Sequence, residues 1–386
     1  MVQTYDFAVI GAGIAGASAA YRLATEGSVL LLEAEGHPGY HTTGRSAALF
    51  SERYKNPLIR GLAKASGGLL ANPPDVFSSG PLLTPRGLLI VGREDQRAAL
   101  DGQFTTEQLA AGIAQPIAIA EACRLSPALR PEPLVGAYLV PAAQDIDVNA
   151  LHQGFLRGFA KAGGRLVCDA RVTRLTRNGS GWQIDSTAGG YAAGVIVNAA
   201  GAWADEVGKL AGLAPLGLQP KRRTCITFDP PAALAGGLPH WPMVIDATEE
   251  FYFKPEAGRV LASPADETDT PPTDAQPEEL DVAVAVDRVM KATTLDVRRI
   301  THRWAGLRSF LPDKMPVAGP DPAEPGFIWL AGQGGFGIMT SEALGRAAAA
   351  AAQSAALPAD LATCGVTAEA LAPSRLSRTT AQPHHR

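Results

Sequence analysis

Asp6-Phe-Ala-Val-Ile-Gly-Ala-Gly-Ile-Ala-Gly16 is a short apolar run that leads directly into G-x-G-x-x-G. Phe7 to Ile10 has the length and continuous apolarity of a buried parallel strand, and Gly11, Gly13 and Gly16 stand where such a strand turns into a helix. Gly11 permits the tight turn, Gly13 lets a pyrophosphate approach the backbone, and Gly16 lets the helix pack close to the strand. The helix amino terminus then offers unpaired N–H groups and a partial positive charge to the diphosphate. Ala17 to Glu26 supplies that helix, Gly27 closes it, and Val29 to Leu32 forms the next strand. Glu33 ends this strand about 20 residues past the glycines, where a carboxylate accepts the ribose hydroxyls of an adenosine. One glycine motif says little in a chain with 41 glycines. Strand, glycines, helix, second strand and terminal glutamate in this order predict a dinucleotide-binding βαβ unit.

The 386 residues allow two or three domains, and 46% hydrophobic residues suffice for a large core. A net charge of −4 provides no basic field, which argues against nucleic-acid binding. No apolar run reaches the roughly 18 residues of a membrane span, so no integral membrane segment is expected. Met1 to Thr4 leads into the first strand without a signal peptide, and a cytoplasmic enzyme, at most peripheral to the inner membrane, is expected. Cys123, Cys168, Cys225 and Cys364 are widely spaced and read as small core residues, not as metal ligands or a disulfide framework.

The remaining pattern returns to the nucleotide-binding unit twice. Gly36 to Ser46 is a loop, and Ala47 to Leu70 is expected to form one or two helices. Prolines punctuate 73–141, with a strand at Leu88 to Val91 and helix around Asp95 to Ala111. Asp147 precedes an amphipathic helix over Val148 to Ala162, followed by strands at Arg165 to Cys168, Arg171 to Arg177, Gly181 to Ser186 and Gly194 to Asn198. Alternating segments such as Thr224-Cys-Ile-Thr-Phe228 and Phe251-Tyr-Phe253 suit an antiparallel sheet. Phe327-Ile-Trp-Leu-Ala331 is the last buried strand, and Thr340 to Ala352 an alanine-rich helix. The expected architecture is α/β: a discontinuous Rossmann-like domain (1–72, 142–214, 311–374) with an α+β substrate domain (73–141, 215–310) built on an antiparallel sheet. Residues 375–386 are expected to form a mobile tail.

Several motifs in order, Gly11-Ala-Gly-Ile-Ala-Gly16, Thr43-Gly-Arg-Ser-Ala47, Asn198-Ala-Ala-Gly-Ala-Trp203, Trp304-Ala-Gly-Leu-Arg308 and Gly332-Gln-Gly-Gly-Phe-Gly-Ile338, resemble the FAD-dependent D-amino-acid oxidase and glycine/sarcosine oxidase superfamily. Within it the likeness is greatest to bacterial D-arginine dehydrogenases. The resemblance implies a glutathione-reductase-type FAD domain. It places Glu33 and Ala34 at the adenosine, Val172 against the adenine, and Gly11, Gly13, Ile14, Ala15 and Gly16 at the pyrophosphate. Thr42, Thr43, Gly44, Arg45, Ser46, Ala47, Ala48, Gly334, Gly335, Phe336, Gly337 and Ile338 would bracket the isoalloxazine, with Ala200, Gly201 and Trp203 also beside the cofactor. No cysteine stands at Pro312 to Gly319, where some relatives tether the flavin, so FAD is expected to be noncovalent. His41 reads either as an acid or base or as a structural hydrogen-bonding group.

For the substrate, the resemblance implies a carboxylate held by Tyr54, Arg223, Tyr252 and Arg308, an amine facing the Gly335 carbonyl, and hydride transfer from Cα to flavin N5. Arginine grips a carboxylate with a planar fork, and tyrosine adds a directional bond from an apolar wall. Adjacent strand residues point to opposite faces, so one of Arg222 and Arg223 lines the pocket, and Arg223 is favoured. Leu88, Leu49 and Met339 stand where the D-arginine enzymes carry a glutamate, a histidine and a glutamine. This implies D-amino acids with neutral apolar or aromatic side chains; a secondary or cyclic amine acid such as D-proline or an opine is the alternative. The product would be an imino acid that hydrolyses to a 2-oxo acid and ammonia. Arg259-Val-Leu-Ala-Ser263 lacks the lysine of sarcosine-type oxidases, which favours a quinone or other acceptor over oxygen. A monomer is favoured. A non-catalytic FAD-binding protein and an NAD(P)H-dependent hydroxylase are the competing classes.

Overall fold

Strand Gln3–Ile10 lies between Val29–Leu32 and Gly189–Asn198, parallel to both, at the centre of an eight-stranded sheet. The computed structural model describes residues 3–77 and 80–378. Arg165–Val167 extends the sheet beyond Val29–Leu32. Gly189–Asn198 is shared: its first half pairs antiparallel with Gly181–Ser186, and its end runs parallel to Phe327–Ala331. The apolar strands are covered on both faces, which is why their sequences are nearly continuous in hydrophobicity. Helices Ile14–Leu23, Val148–Lys161 and Ser341–Ala352 cover one face.

A second sheet has nine strands, drawn from 88–140 and 219–310. Its centre runs Gln219–Phe228, Arg259–Ser263, Tyr252–Glu256, Met243–Asp246, Leu88–Arg93, and His302–Phe310 flanks Gln219–Phe228. The pairing is antiparallel except between Met243–Asp246 and Leu88–Arg93, which run parallel. The chain leaves that sheet after 140 and completes much of the first one before returning, so a hairpin is impossible there. Leu49–Phe50, Leu83–Pro85 and Gln144–Ile146 make a small third sheet.

Several elements differ from expectation. The first helix starts at Ile14, with Gly13 as its N-cap, three residues before the expected Ala17. Ala47 to Leu70 is a short strand followed by one helix, Pro57–Ala71. Asn56 starts it by accepting from the backbone N–H groups of Leu58 and Ile59 at 3.0 and 3.2 Å. The helix expected over Asp95 to Ala111 breaks into Arg97–Asp101 and Thr106–Ala110 at Gly102. Helix Glu279–Ala292 arises in a segment read as sheet; Val282, Ala285 and Val289 repeat at helical spacing and are buried against the second sheet. Arg375, the expected start of a mobile tail, donates to Asp313 at 2.8 Å and to the Met315 carbonyl at 2.7 Å. The rest of that tail from residue 379 lies outside the described residues. Among the described residues no helix is long and apolar enough to cross a membrane.

Candidate functional site

A cavity of about 450 Å³ runs from the carboxyl ends of the first sheet's strands to the face of the second. Its nucleotide end begins where Gly11, at φ +98°, turns the chain out of the first strand. Glu33 closes the adjacent strand, and its carboxylate accepts the backbone N–H groups of Ala12 at 2.8 Å and Glu35 at 3.0 Å. Thr43 Oγ1 accepts from Ile14 N at 2.9 Å, tying the second loop to the helix amino terminus. Buried His152 reaches the same loop from helix Val148–Lys161, its Nε2 donating to the Ala12 carbonyl at 2.8 Å. Burial pulls the imidazole below the ordinary histidine value, so the neutral form is the one present at neutral pH. Val172, Ala34, Ala200, Gly201 and Trp203 line the same cavity.

Gly16 does not line it. A Cβ there would stand 1.8 Å from the Gly11 carbonyl oxygen, so its role is the close packing of helix against turn. Gly44 is likewise outside the lining, in the turn where its N–H donates to the Gly39 carbonyl at 2.8 Å.

The other end is built by two adjacent antiparallel strands. Lys221 pairs with Arg308 and Arg223 with Gly306, which puts Arg223 and Arg308 on one face as diagonal neighbours. Both line the cavity, as does Gly306 opposite Arg223. Arg223 is 7% exposed; its Nε donates to the Asp266 carbonyl at 2.9 Å and its Nη2 to Glu267 Oε1 at 3.2 Å. Burial, then the charge of Arg308, lowers its pKa from the ordinary arginine value. The Arg308 guanidinium has no ion pair or hydrogen bond among the described residues. Tyr252 completes this wall, its hydroxyl pushed up to about 12 by burial and lying 3.5 Å from Cys225 Sγ. Gly335 packs against Arg308: a Cβ there would lie 3.1 Å from Nη1.

Arg222 points the other way, to Glu278 and to Asp281 at 2.9 Å, on the face covered by helix Glu279–Ala292. Its neighbour Arg223 is the cavity arginine. His41 is a hydrogen-bonding group, 3.0 Å from Glu35, with its ring tilted against Trp203 at a centroid distance of 4.7 Å. Arg45 lines the cavity, yet its guanidinium is spent on the carbonyls of Ala275 (2.9 Å) and Ala305 (3.0 Å) and on Asp274.

Three expected pocket residues do not line the cavity. Leu88, 1% exposed, belongs to the core beneath Tyr252 with Ile90, Met243 and Leu261, and Leu49 packs against that core. Met339, 3% exposed, is in the core of the first sheet beside the last helix. Tyr54 also stands off the cavity, edge-on to Phe336 of the glycine-rich loop at 4.9 Å; both pack against the core of the first sheet. Ala48 lies in the same surroundings. The reason is shared: each side chain points into a core from a backbone that passes near the cavity. Ala47, Ser46, Thr42, Ala15, Gly334, Gly337 and Ile338 do line it.

Lining residues that the sequence did not reveal include Glu35, Tyr40, Cys225, Glu206, Gly306 and Gln333. Strand alternation from Arg223 and Arg308 points to Cys225 and Gly306, two residues away on each strand. Cys225 is therefore not only the core filler expected of all four cysteines.

These residues fit FAD. The glycine turn with Glu33 suits an adenosine diphosphate, the cavity continues past it into a second compartment, and buried Gln333 Nε2 on its wall has no hydrogen-bond partner in the protein. Comparison with known proteins agrees. Residues 6–351 match the family model described as DAO, FAD dependent oxidoreductase. The chain is 26% identical over 399 residues to the glycine oxidase of Geobacillus kaustophilus, covering 98% of each. Its fold is similar to the crystal structure of glycine oxidase from Geobacillus kaustophilus, with a TM-score of 0.80 at 24% identity over 92% of this chain and 95% of that one. It is also similar to L-proline dehydrogenase from P. horikoshii, with a TM-score of 0.82 at 20% identity over 98% and 99%. For iminodiacetate oxidase from Chelativorans sp. BNC1 the TM-score is 0.74 at 23% identity over 91% and 96%. Fold, glycine turn, cavity and family match converge: this chain belongs to the DAO family of FAD-dependent oxidoreductases.

Proposed function

We propose that the protein oxidises the Cα–N bond of a small amino acid with a neutral side chain, in the D configuration that the sequence resemblance implies, to an imino acid that hydrolyses to a 2-oxo acid and ammonia. The observation that carries this is the pair Arg223 and Arg308, two guanidinium groups on one strand face with Tyr252 beside them. Glu267 offsets one of the two like charges, and the Arg308 guanidinium, without a protein counter-ion among the described residues, is left to an anion in the cavity. Bound FAD would supply the two-electron acceptor for the Cα hydride. Glu33, Thr43, Ile14 and the glycine turn would hold its diphosphate and ribose, with Val172 toward its adenine.

Arg223 and Arg308 fix the substrate carboxylate, and Tyr252 stays a hydrogen-bond donor across the working pH range because burial raises its pKa to about 12. The Gly335 carbonyl, on the loop against Arg308, is the group we assign to the amine. The substrate amine must be neutral, since its lone pair stabilises the developing iminium; turnover therefore rises with pH through one apparent pKa. The acidic side chains of the lining, Glu33, Glu35 and Glu206, all come from the nucleotide-binding half, which supports a neutral substrate side chain over arginine. No lysine lines the cavity among the described residues, which supports a quinone or other acceptor over oxygen.

A second reading is a secondary or cyclic amine acid of similar size, favoured by similarity to proteins named L-proline dehydrogenase and iminodiacetate oxidase. Bleaching of the oxidised flavin under argon by a panel of D- and L-leucine, methionine, phenylalanine, proline and arginine, with sarcosine and glycine, tests both. Bleaching by neutral D-amino acids supports the first and by proline or sarcosine the second. D-Arginine as the best substrate overturns the side-chain preference, and no bleaching by any acid overturns the activity. Rapid reoxidation of the bleached enzyme by air would overturn the choice of acceptor.

A further inference from the structure

We propose that Glu267 is a built-in counter-charge that limits the carboxylate site to one negative charge, so that the enzyme selects monocarboxylate substrates and rejects dicarboxylates. The inference rests on the carboxylate reading of Arg223 and Arg308. Arg223 is buried, yet one of its nitrogens is held by Glu267 at 3.2 Å, whose side chain is 43% exposed. Its Nε is taken by the Asp266 carbonyl, which leaves Nη1 for the cavity. Arg308, the diagonal neighbour, has no protein counter-ion among the described residues.

The local charges follow from these contacts. Two guanidinium groups less one Glu267 carboxylate leave a single positive charge facing the cavity. The remaining charges nearby are engaged elsewhere. Lys221, on the same strand face, is paired with Asp269 at 2.7 Å. The Asp266 carboxyl lies on the opposite face of the strand, where it accepts the Thr224 N–H at 2.6 Å and its hydroxyl at 3.0 Å and stands 3.9 Å from the Arg222 guanidinium, and burial raises its pKa. Arg45 is held by Asp274. One substrate carboxylate completes neutrality. A second would make the site net negative with no further cation to offset it; Glu267, outside the cavity lining, acts through the charge it offsets on Arg223.

Glu267 is also fixed in place by the fold. It precedes Thr268–Asp269, which pairs with Lys221 and Arg222 on the strand that carries Arg223. Glutamine at this position keeps the amide oxygen for Arg223 Nη2 and removes only the charge, whereas alanine removes the contact as well.

The test is isothermal titration of the FAD-loaded enzyme with isobutyrate and with malonate, acids of similar size that differ by one carboxylate. Wild type is expected to bind isobutyrate roughly tenfold more tightly than malonate. In Glu267→Gln the malonate affinity should rise about tenfold and the isobutyrate affinity about threefold, narrowing the gap. If both acids bind and the ratio is the same in wild type and Glu267→Gln, the proposal is wrong. Weaker binding of both acids in Glu267→Gln and Glu267→Ala would make Glu267 a mere support for Arg223, and also overturns it. If wild type binds neither acid, or Arg308→Met binds both as wild type does, the carboxylate reading itself fails and takes this inference with it.

Discussion

Arg308 and Arg223 stand on adjacent strands facing one cavity, and only Arg223 has a protein counter-ion among the described residues. A charged hydrogen bond contributes about 1.5–3 kcal/mol, so Arg308→Met should raise KM for the amino acid by roughly 10- to 100-fold with flavin content unchanged. Steady-state kinetics beside flavin absorbance check this, and an unchanged KM removes Arg308 from the clamp. Gly16 works by steric exclusion instead. With a Cβ position 1.8 Å from the Gly11 carbonyl, Gly16→Ala must displace the turn, so the purified variant should lose its flavin while keeping far-UV helicity. Full flavin occupancy would show that the turn has more slack than its geometry allows. Both roles follow from residue type and spacing. Strand alternation made one of Arg222 and Arg223 the cavity residue, but the choice between them required knowing which face helix Glu279–Ala292 covers.

At the scale of elements, helix Val148–Lys161 is tied to the glycine turn by one hydrogen bond from His152 to Ala12. Burial holds the folded-state pKa of His152 below 6.5, while the unfolded chain takes up a proton at the ordinary value. A depressed pKa means that the folded state binds fewer protons. The stability this histidine contributes is therefore complete above pH 6.5 and declines as pH falls below it toward the depressed folded value. Thermal melts of wild type and His152→Gln at successive pH values check the sign: the wild-type Tm should fall more steeply on the acid side. Parallel curves would remove His152 as the source. The amphipathic period of this helix and its Asp147 cap were legible in sequence. Its contact with Ala12, 140 residues away in the chain, was not.

Across the whole molecule, the two sheets meet through the loop that carries Arg45. Its guanidinium holds the Ala275 and Ala305 carbonyls and Asp274, the Trp304 indole donates to the Arg45 carbonyl at 3.1 Å, and Thr42 donates to Leu307 at 2.8 Å. Arg45→Met would strand the two carbonyls and leave Asp274 with the Tyr40 hydroxyl alone as a hydrogen-bond donor among the described residues. We expect a Tm about 3–8 °C lower and weaker FAD retention, read by scanning calorimetry and by flavin release on dilution. An unchanged Tm would mean that the sheets dock without this clamp. The dinucleotide unit, its glycine turn and Glu33 were legible from residue order, because strand, turn and helix within some 30 residues are specified by local spacing and apolar pattern. A second sheet drawn from 88–140 and 219–310 was legible too, because alternation marks strands wherever they fall. Tertiary structure alone decided that Leu88 and Met339 fill cores, that Cys225 reaches the cavity, and that Glu267 sits on Arg223. Those outcomes depend on which face of a strand meets which neighbour, and the partners are brought together only when both sheets have formed.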